Sequence, residues 1–572
     1  PRAAGVLAAL AVGDQSAIDR DDWELFRRTG IAHLVSISGL HVTMFAWLAG
    51  LAVGAAWRRS ARACLAMPAP LAARWGGLLA AAAYAVFAGW GVPAQRTVWM
   101  LAAVTVLHAL GKRWPWPLAL LAAAVVVTVP DPWALLQPGF WLSFVAVGLL
   151  MASGGAADAP APPAGRGPAL VHRLRGELRG QAVATLGLAP LTLVCFQQVS
   201  LVGFAANLVA IPVVTLVVTP LALLGTLAPP LWTLGAAAVQ ALCRALTALS
   251  GGPGAVWSAA VAPGWAQAAG LAAAVLAVLP LSWRLRALAL PLAAPLVLPV
   301  VPRPPAGAFE LLAADVGQGS AVLVRTHRHL LVYDAGPQYS RDNDAGQRVL
   351  LPLLRALGET RIDRLVLSHR DTDHVGGARA LMEGVAVAEV WSSLEPGHPL
   401  LASPARATRC AAGQRWSWDG VRFEVLQPPG SAYEGAARPN ALSCVLKVEG
   451  DGGRVLLTGD IGREQEARLV SQHAERLPAD VLLAPHHGSR TSSTPVFLDA
   501  VRPRVAVVQA GFRNRFGHPA PEVLDRYAER GIAVVATPAC GAWRWPADAA
   551  GAGVCTRDAA RRYWHHRREL AP

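Results

Sequence analysis

The sequence predicts a polytopic α-helical membrane domain followed by a soluble α/β domain, and three observations predict it. Residues 1–302 hold eight Asp/Glu and eighteen Lys/Arg, whereas residues 303–572 hold twenty-nine and thirty-three. Apolar runs of Ala, Leu and Val recur through the first part, at lengths that suit helices in lipid. The second part alternates short β-rich runs with polar loops, one of which, SHRDTDHVGG (368–377), groups two histidines with two aspartates.

The 572 residues exceed one ordinary domain; 54% are hydrophobic and 15% charged, and the mean hydropathy is +0.38. That composition argues against a soluble single-domain enzyme. The net charge of +14 fits an acidic partner such as nucleic acid or anionic lipid, and fits equally the basic loops that flank membrane spans. Of seven cysteines, Cys64, Cys195 and Cys243 lie in or beside apolar segments and read as small buried hydrophobes, while Cys540 and Cys555 could pair in an oxidising compartment. The chain opens on Pro1 rather than Met, which reads as a fragment.

Residues 1–30 read as an extramembrane or interfacial segment and 31–302 as the polytopic domain. Ten spans are expected, at 33–54, 76–92, 97–111, 117–130, 138–153, 181–197, 201–228, 231–250, 266–282 and 285–301. If all cross, the Arg- and Lys-bearing connections (Arg58 to Arg74, Lys112 and Arg113, Arg166 to Arg179, Arg284 and Arg286) fall on one side, which the positive-inside rule makes cytoplasmic. An even count returns the soluble half to the outer face. The segment 231–250 carries Gln240 and Arg244, so it could lie along the interface instead, and one miscounted span reverses the sidedness. Polar residues interrupt four apolar stretches: Ser36, Ser38 and His41 in HLVSISGLHV (33–42), Gln95 and Arg96 in VPAQR (92–96) between two spans, and the breaks QPGFWLSF (137–144) and NLVAIP (207–212). Singly each suits a helix–helix hydrogen bond; together they fit a polar path through a bundle.

A Pro-rich joint ends this half, with a linker at 303–307, a soluble domain at 308–545 and a basic tail at 546–572. Strand-like runs then end in groups that could hold metal: Asp334 after HLLVYD; His369, Asp371, Asp373 and His374 after RLVLS; Asp460 after RVLLTG; His486 and His487 after DVLLAP. Any one of these could merely cap a helix or close a turn. The ordered set is better explained as ligands brought together at strand ends.

HLVSISGLHV, VPAQR, QPGFWLSF and NLVAIP resemble the competence region of ComEC-type DNA-internalisation proteins, and LAADVGQGSAVLV through HHGSRTSS resembles their metallo-β-lactamase-like domain. The resemblance spans nearly the whole chain, although larger members begin with a further soluble domain and spans. It implies an αββα metallo-β-lactamase-like fold for the soluble half, with metals where two sheets meet. His369, Asp373 and His374 match the metal motif, Asp460 the bridging carboxylate, and one of His486 or His487 the late histidine. The chain departs from HxHxDH at Asp371, and RPNALS, with Asn440 and Ser443, stands where a middle histidine is expected. More oxygen ligands favour Mn²⁺ or Mg²⁺ relative to Zn²⁺ without excluding zinc, and leave one of two positions short of ligands.

The resemblance implies an inner-membrane channel for single-stranded DNA in natural transformation, with a metal-dependent nuclease that degrades the other strand. Asp373 and Asp460 would hold one or two divalent ions, and His487 or His518 would protonate or orient the leaving oxygen. Asp334, Asn440, Ser443 and Ser489 would support the ligands or touch substrate, while Arg370, Arg490, Arg513 and Arg515, with the tail RRYWHHRR (561–568), would hold phosphates. Two alternatives stay open: a non-catalytic DNA-binding gate, and a membrane-anchored small-molecule phosphodiesterase. No GxxxxGK[ST] loop occurs, so a separate cytoplasmic motor ATPase is expected beside an outer-face DNA receptor and membrane lipid, and a homodimer stays open.

Overall fold

The computed structural model describes residues 2–112, 114–153, 166–252, 254–341, 343–402, 406–435, 438–546 and 553–562. Arg113 and the tail beyond Arg562 lie outside the described residues. The chain divides into two compact units, Pro1–Val300 and Val301–Pro572.

The first unit is helical. Among the described residues, five helices are long and apolar enough to cross a membrane: Gly39–Trp57, Ala69–Phe87, Leu174–Phe196, Gly203–Leu224 and Pro230–Ser250. Arg2–Val12, Trp116–Thr128, Pro138–Ala152 and Gly264–Val278 are apolar but shorter. Several prolines that punctuate the sequence begin helices rather than separate them, because the first helical position needs no N–H donor. VPAQR is therefore the first turn of Val92–Ala109, not a link between spans. HLVSIS precedes its helix, with Ser38 at the N-cap and its N–H donating to His41 Nδ1 at 3.2 Å. The expected span 285–301 is instead two short helices, Trp283–Ala287 and Ala289–Val297.

The N-terminal segment read as extramembrane or interfacial supplies a packed helix. Val6, Ala9 and Leu10 of Arg2–Val12 are buried with Ala210, Val214, Val239 and Leu246. Three of the polar motifs meet. A side chain on Gly39 would put its Cβ 2.6 Å from Thr97 Oγ1, and one on Gly139 would put it 3.0 Å from the Arg96 guanidinium.

Among the described residues the second unit contains two large sheets and a two-stranded ribbon, Gln338–Ser340 with Asn343–Asp344. We label its main strands β1 (Glu310–Ala313), β2 (Val322–Arg325), β3 (Leu330–Tyr333), β4 (Arg361–Leu367), β5 (Ala386–Ser392), β6 (Arg406–Arg409), β7 (Arg415–Trp418), β8 (Val421–Gln427), β9 (Val445–Gly450), β10 (Gly453–Leu457), β11 (Val481–Leu483), β12 (Val505–Val508), β13 (Ala533–Ala536), β14 (Trp543–Trp545) and β15 (Val554–Cys555). The eight-stranded sheet runs β6-β5-β4-β3-β2-β1-β14-β15, and the seven-stranded sheet β7-β8-β9-β10-β11-β12-β13.

Nearly continuous apolar strands arise because both faces are buried. Leu311, Val324 and Leu331 pack inward against Phe423, Leu446, Val455 and Val481 of the other sheet. Their alternating neighbours Leu312, Leu323 and Val332 face outward onto helices Leu351–Ala356 and Ala378–Gly384. Leu456, Leu482 and Ala506 do the same beneath Arg463–His473, Pro495–Val501 and Pro521–Ala528. The result is an αββα sandwich. Residues read as a linker are fastened to it: Arg303 pairs with Glu359 at 2.6 Å, and Gly307 N–H donates to Asp419 O.

Candidate metal centre

Parallel pairing at two places lines up the polar strand ends. β3 pairs with β4 in the register Tyr333 to Val366, so Asp334 emerges beside Ser368 and His369. β10 pairs with β11 in the register Leu456 to Leu482, which sets Asp460 near the loop carrying His486 and His487. One group of candidates therefore comes from each sheet. The Gly-Gly after His374 has a packing reason: a Cβ on Gly376 would stand 2.2 Å from Gln338 N, and one on Gly377 2.3 Å from Ala335 O.

Asp373, His374, Asp460 and His487 place one ligand atom each within 4.8 Å of one another. His374 Nε2 lies 3.1 Å from Asp460 Oδ1, and His487 Nε2 lies 3.2 Å from Asp373 Oδ2. The other ring nitrogens are already committed. His374 Nδ1 donates to Asp334 Oδ2 at 2.7 Å, and His487 Nδ1 donates to the Gln509 carbonyl at 2.8 Å. Asp334 itself accepts the Ser368 N–H at 2.7 Å and its hydroxyl at 2.8 Å, leaving Ser368 Oγ to accept from His369 Nδ1 at 3.0 Å. Each of the three histidines thus turns a buried Nε2 inward with no hydrogen-bond partner, and Asp460 Oδ1 is orphaned with them. Such outer partners fix the tautomer that a metal ligand requires, so the residues fit a divalent cation.

The electrostatics carry the same demand. Burial opposes protonation of His374, but Asp460 and Asp334 outweigh it and raise its pKa well above the ordinary imidazole range. Burial also works against ionising Asp373, yet the His487 ring 3.2 Å away and the charge of His374 hold it at about 2. Asp460 is pushed up by burial and pulled well below the carboxylate range by His374 and His487. Two carboxylates held ionised in a buried site call for positive charge, which a cation meets by displacing imidazole protons. The raised His374 and His487 values set the sign: cation affinity should climb as pH rises through and above the ordinary imidazole range, with net proton release on binding. Calorimetry in buffers of different ionisation enthalpy measures both, and a flat affinity would contradict this assignment.

The other candidates sit around this core. His369 faces Asp371 at 3.5 Å, and the Asp371 side chain is 43% exposed, so this pair stands outside the four-residue set. His486 Nε2 lies 3.7 Å from Asp460 Oδ2 and is part-exposed. His486 and His487 are consecutive left-handed residues, at φ 50° and 55°, a costly backbone that brings both Nε2 atoms toward Asp460 Oδ2, at 3.7 Å and 3.6 Å. The His518 ring lies 6.4 Å from that of His487; burial and then the charge of His487 lower its pKa to about 4, which leaves it neutral near pH 7. That state suits orientation of a leaving oxygen better than donation of a proton as imidazolium.

Ser443 Oγ accepts the Asp460 N–H at 3.1 Å, and Asn440 O accepts the Ser443 N–H, so this segment braces Asp460 where a middle histidine was expected. Ser489 bonds Thr491 Oγ1 at 3.0 Å, and its N–H donates to His486 O at 2.9 Å. Arg370 pairs with Glu395 at 3.2 Å, Arg490 is exposed, and Arg513 lies over Phe512. Sequence reasoning missed Ser368 and Gln509. Ser368 adjoins His369 and could have been found there; Gln509 acts through its carbonyl, which leaves no side-chain signature.

Two disulfides tie this half, Cys410–Cys444 and Cys540–Cys555, while Cys64, Cys195 and Cys243 are free.

Comparison with known proteins adds the family. The competence-protein model matches residues 10–284, and the metallo-β-lactamase superfamily model matches residues 314–511. Over 552 residues the chain is 37% identical to Competence protein ComA of Neisseria gonorrhoeae, covering 94% of this chain and 74% of that protein. It is 31% identical over 562 residues to protein YcaI of Escherichia coli, covering 93% and 69%, and 27% identical over 593 residues to Recombination protein 2 of Haemophilus influenzae, covering 94% and 71%.

Proposed function

The chain belongs to the competence-protein family with a metallo-β-lactamase domain, and from that premise we propose that it is an inner-membrane channel for single-stranded DNA whose soluble half is a metal-dependent nuclease. The observation that carries the nuclease reading is the set of inward, unpartnered Nε2 atoms facing ionised Asp373 and Asp460. A divalent cation held by Asp373, His374, Asp460 and His487 would supply an acidified water and neutralise charge on a phosphodiester. Asp334 and the Gln509 carbonyl hold His374 and His487 in the tautomer that exposes Nε2. Ser443 fixes the backbone of Asp460, and neutral His518 orients the leaving oxygen.

The meeting of Gly39, Thr97, Arg96 and Gly139 supports a polar path in the helical half. Asn207 Oδ1 and the Thr215 and Thr219 hydroxyls, on Gly203–Leu224, are likewise buried without partners. The disulfides support the outer, oxidising face for the soluble half, since paired cysteines persist there and not in the cytosol. One strand would then pass inward while the other is degraded outside, with an outer-face receptor and a cytoplasmic motor as partners.

The test is incubation of the full chain, in detergent, with labelled single- and double-stranded DNA and Mn²⁺, Mg²⁺ or Zn²⁺, beside Asp373→Ala. Metal-dependent cleavage absent from the variant supports the nuclease. Binding without cleavage by metal-loaded protein moves the reading to a DNA-binding gate.

A further inference from the structure

The loop after β12 leads from the metal cluster to solvent and exposes two phenylalanines. Phe512 is 51% exposed and Phe516 52%, unusual for large apolar side chains placed together on one short loop. The loop is built to hold them there. Asn514 Nδ2 donates to Gly511 O at 3.0 Å and to His518 O at 2.6 Å, while its Oδ1 accepts from Phe516 N at 3.2 Å and His518 N at 3.0 Å. Gly511 N–H is tied to Gln318 Oε1 at 3.1 Å.

The rings continue inward. Phe516 stacks on His518 with centroids 5.7 Å apart, His518 on His487 at 6.4 Å, and His487 stands 5.2 Å from His374. Arg515 lies over Phe516 and Arg513 over Phe512, with guanidinium carbons 4.8 Å and 5.2 Å from the ring centroids. Exposed rings offer apolar faces to flat partners, and the guanidinium groups beside them offer charge to anions. A polymer that alternates planar bases with phosphates meets both demands, provided its bases are unpaired and free to stack.

We infer that the 511–518 loop is a stacking platform for an unpaired nucleic-acid strand, with Phe512 and Phe516 receiving bases and Arg513 and Arg515 receiving phosphates as the strand enters the metal centre. The platform makes the soluble half selective for single-stranded ends or frayed duplex. This rests on the reading that the soluble half handles DNA. A lipid surface is the competing occupant of exposed Phe and Arg side chains; the unbroken ring series into the cluster favours the strand.

The experiment measures binding to the full chain in nanodiscs, with chelator present so that no cleavage intervenes. The probes are a single-stranded oligonucleotide, its abasic counterpart with the same phosphates, and a blunt duplex. The Phe512→Ala/Phe516→Ala variant should bind the normal strand about tenfold more weakly while its affinities for the abasic strand and the duplex match those of the parent chain. Phe516→Tyr, which keeps a ring, should bind like the parent. Equal losses on normal and abasic strands, or no loss on either, would overturn the platform while leaving DNA binding intact. A parent chain that binds none of the probes would overturn the functional reading as well. Trypsin cleavage after Arg513 and Arg515 distinguishes the occupants: protection by the strand supports the platform, and protection by nanodisc lipid without DNA overturns it.

Discussion

On the nuclease reading proposed above, Asp460→Ala should lose divalent metal and, with it, at least about 10³-fold in the rate of DNA cleavage. Asp460 is the carboxylate around which the site closes: it is 4% exposed, and His374, His486 and His487 all direct Nε2 toward it. Without it, Asp373 is the remaining carboxylate of the four-residue set, and the histidines lose the charge that makes the pocket attractive to a cation. The global fold should survive, because the inter-sheet core is apolar and does not include Asp460. Metal analysis of the purified variant beside single-turnover cleavage checks both parts. Full metal occupancy with cleavage within tenfold of the parent chain would show that the cation sits elsewhere.

Removing the Cys410–Cys444 bridge with paired serines should destabilise the soluble half by about 4 kcal/mol, as expected for freeing a loop of 34 residues, and lower its melting temperature by about 10 °C. The effect should reach the metal. Cys444 N–H donates to Ser368 O at 2.9 Å, Tyr333 hydroxyl donates to Cys444 O at 2.7 Å, and the preceding Ser443 holds Asp460. The bridge thus anchors the segment that positions Asp460 and touches the serine that bonds His369 and Asp334, the partner of His374. Cys540–Cys555, beside β14 and β15, gives the control: its loss should lower the melting temperature without changing metal affinity. Calorimetric melting and metal titration of the two double variants separate these outcomes; equal metal affinity in both would show that the Cys410 bridge is only a staple.

Much of the centre was legible because its chemistry requires polar groups at the ends of apolar strands. Asp373, His374, Asp460 and His487 were readable on those grounds and meet in space. Asp371, read as a ligand from the same loop, stands at the N-cap of a short helix with Oδ2 3.5 Å from His369 Nε2, beside the four-residue set rather than in it. The choice between His486 and His487 was not decidable from sequence, since it depends on two left-handed residues in succession. In the helical half the composition disclosed apolar helices, but their limits moved. Proline marks either an end or a first turn, and only packing tells which; the start of Val92–Ala109 is the example.

The metal centre takes Asp373 and His374 from the end of β4 and Asp460 and His487 from the ends of β10 and β11, hence from opposite sheets. Contacts so distant along the chain form late, after each sheet has its own neighbours in place. A cation bound there would act as a clasp between the two sheets. Its presence should leave the refolding rate almost unchanged and slow the opening of the sandwich, so that chelation shortens the lifetime of the folded domain rather than hindering its formation.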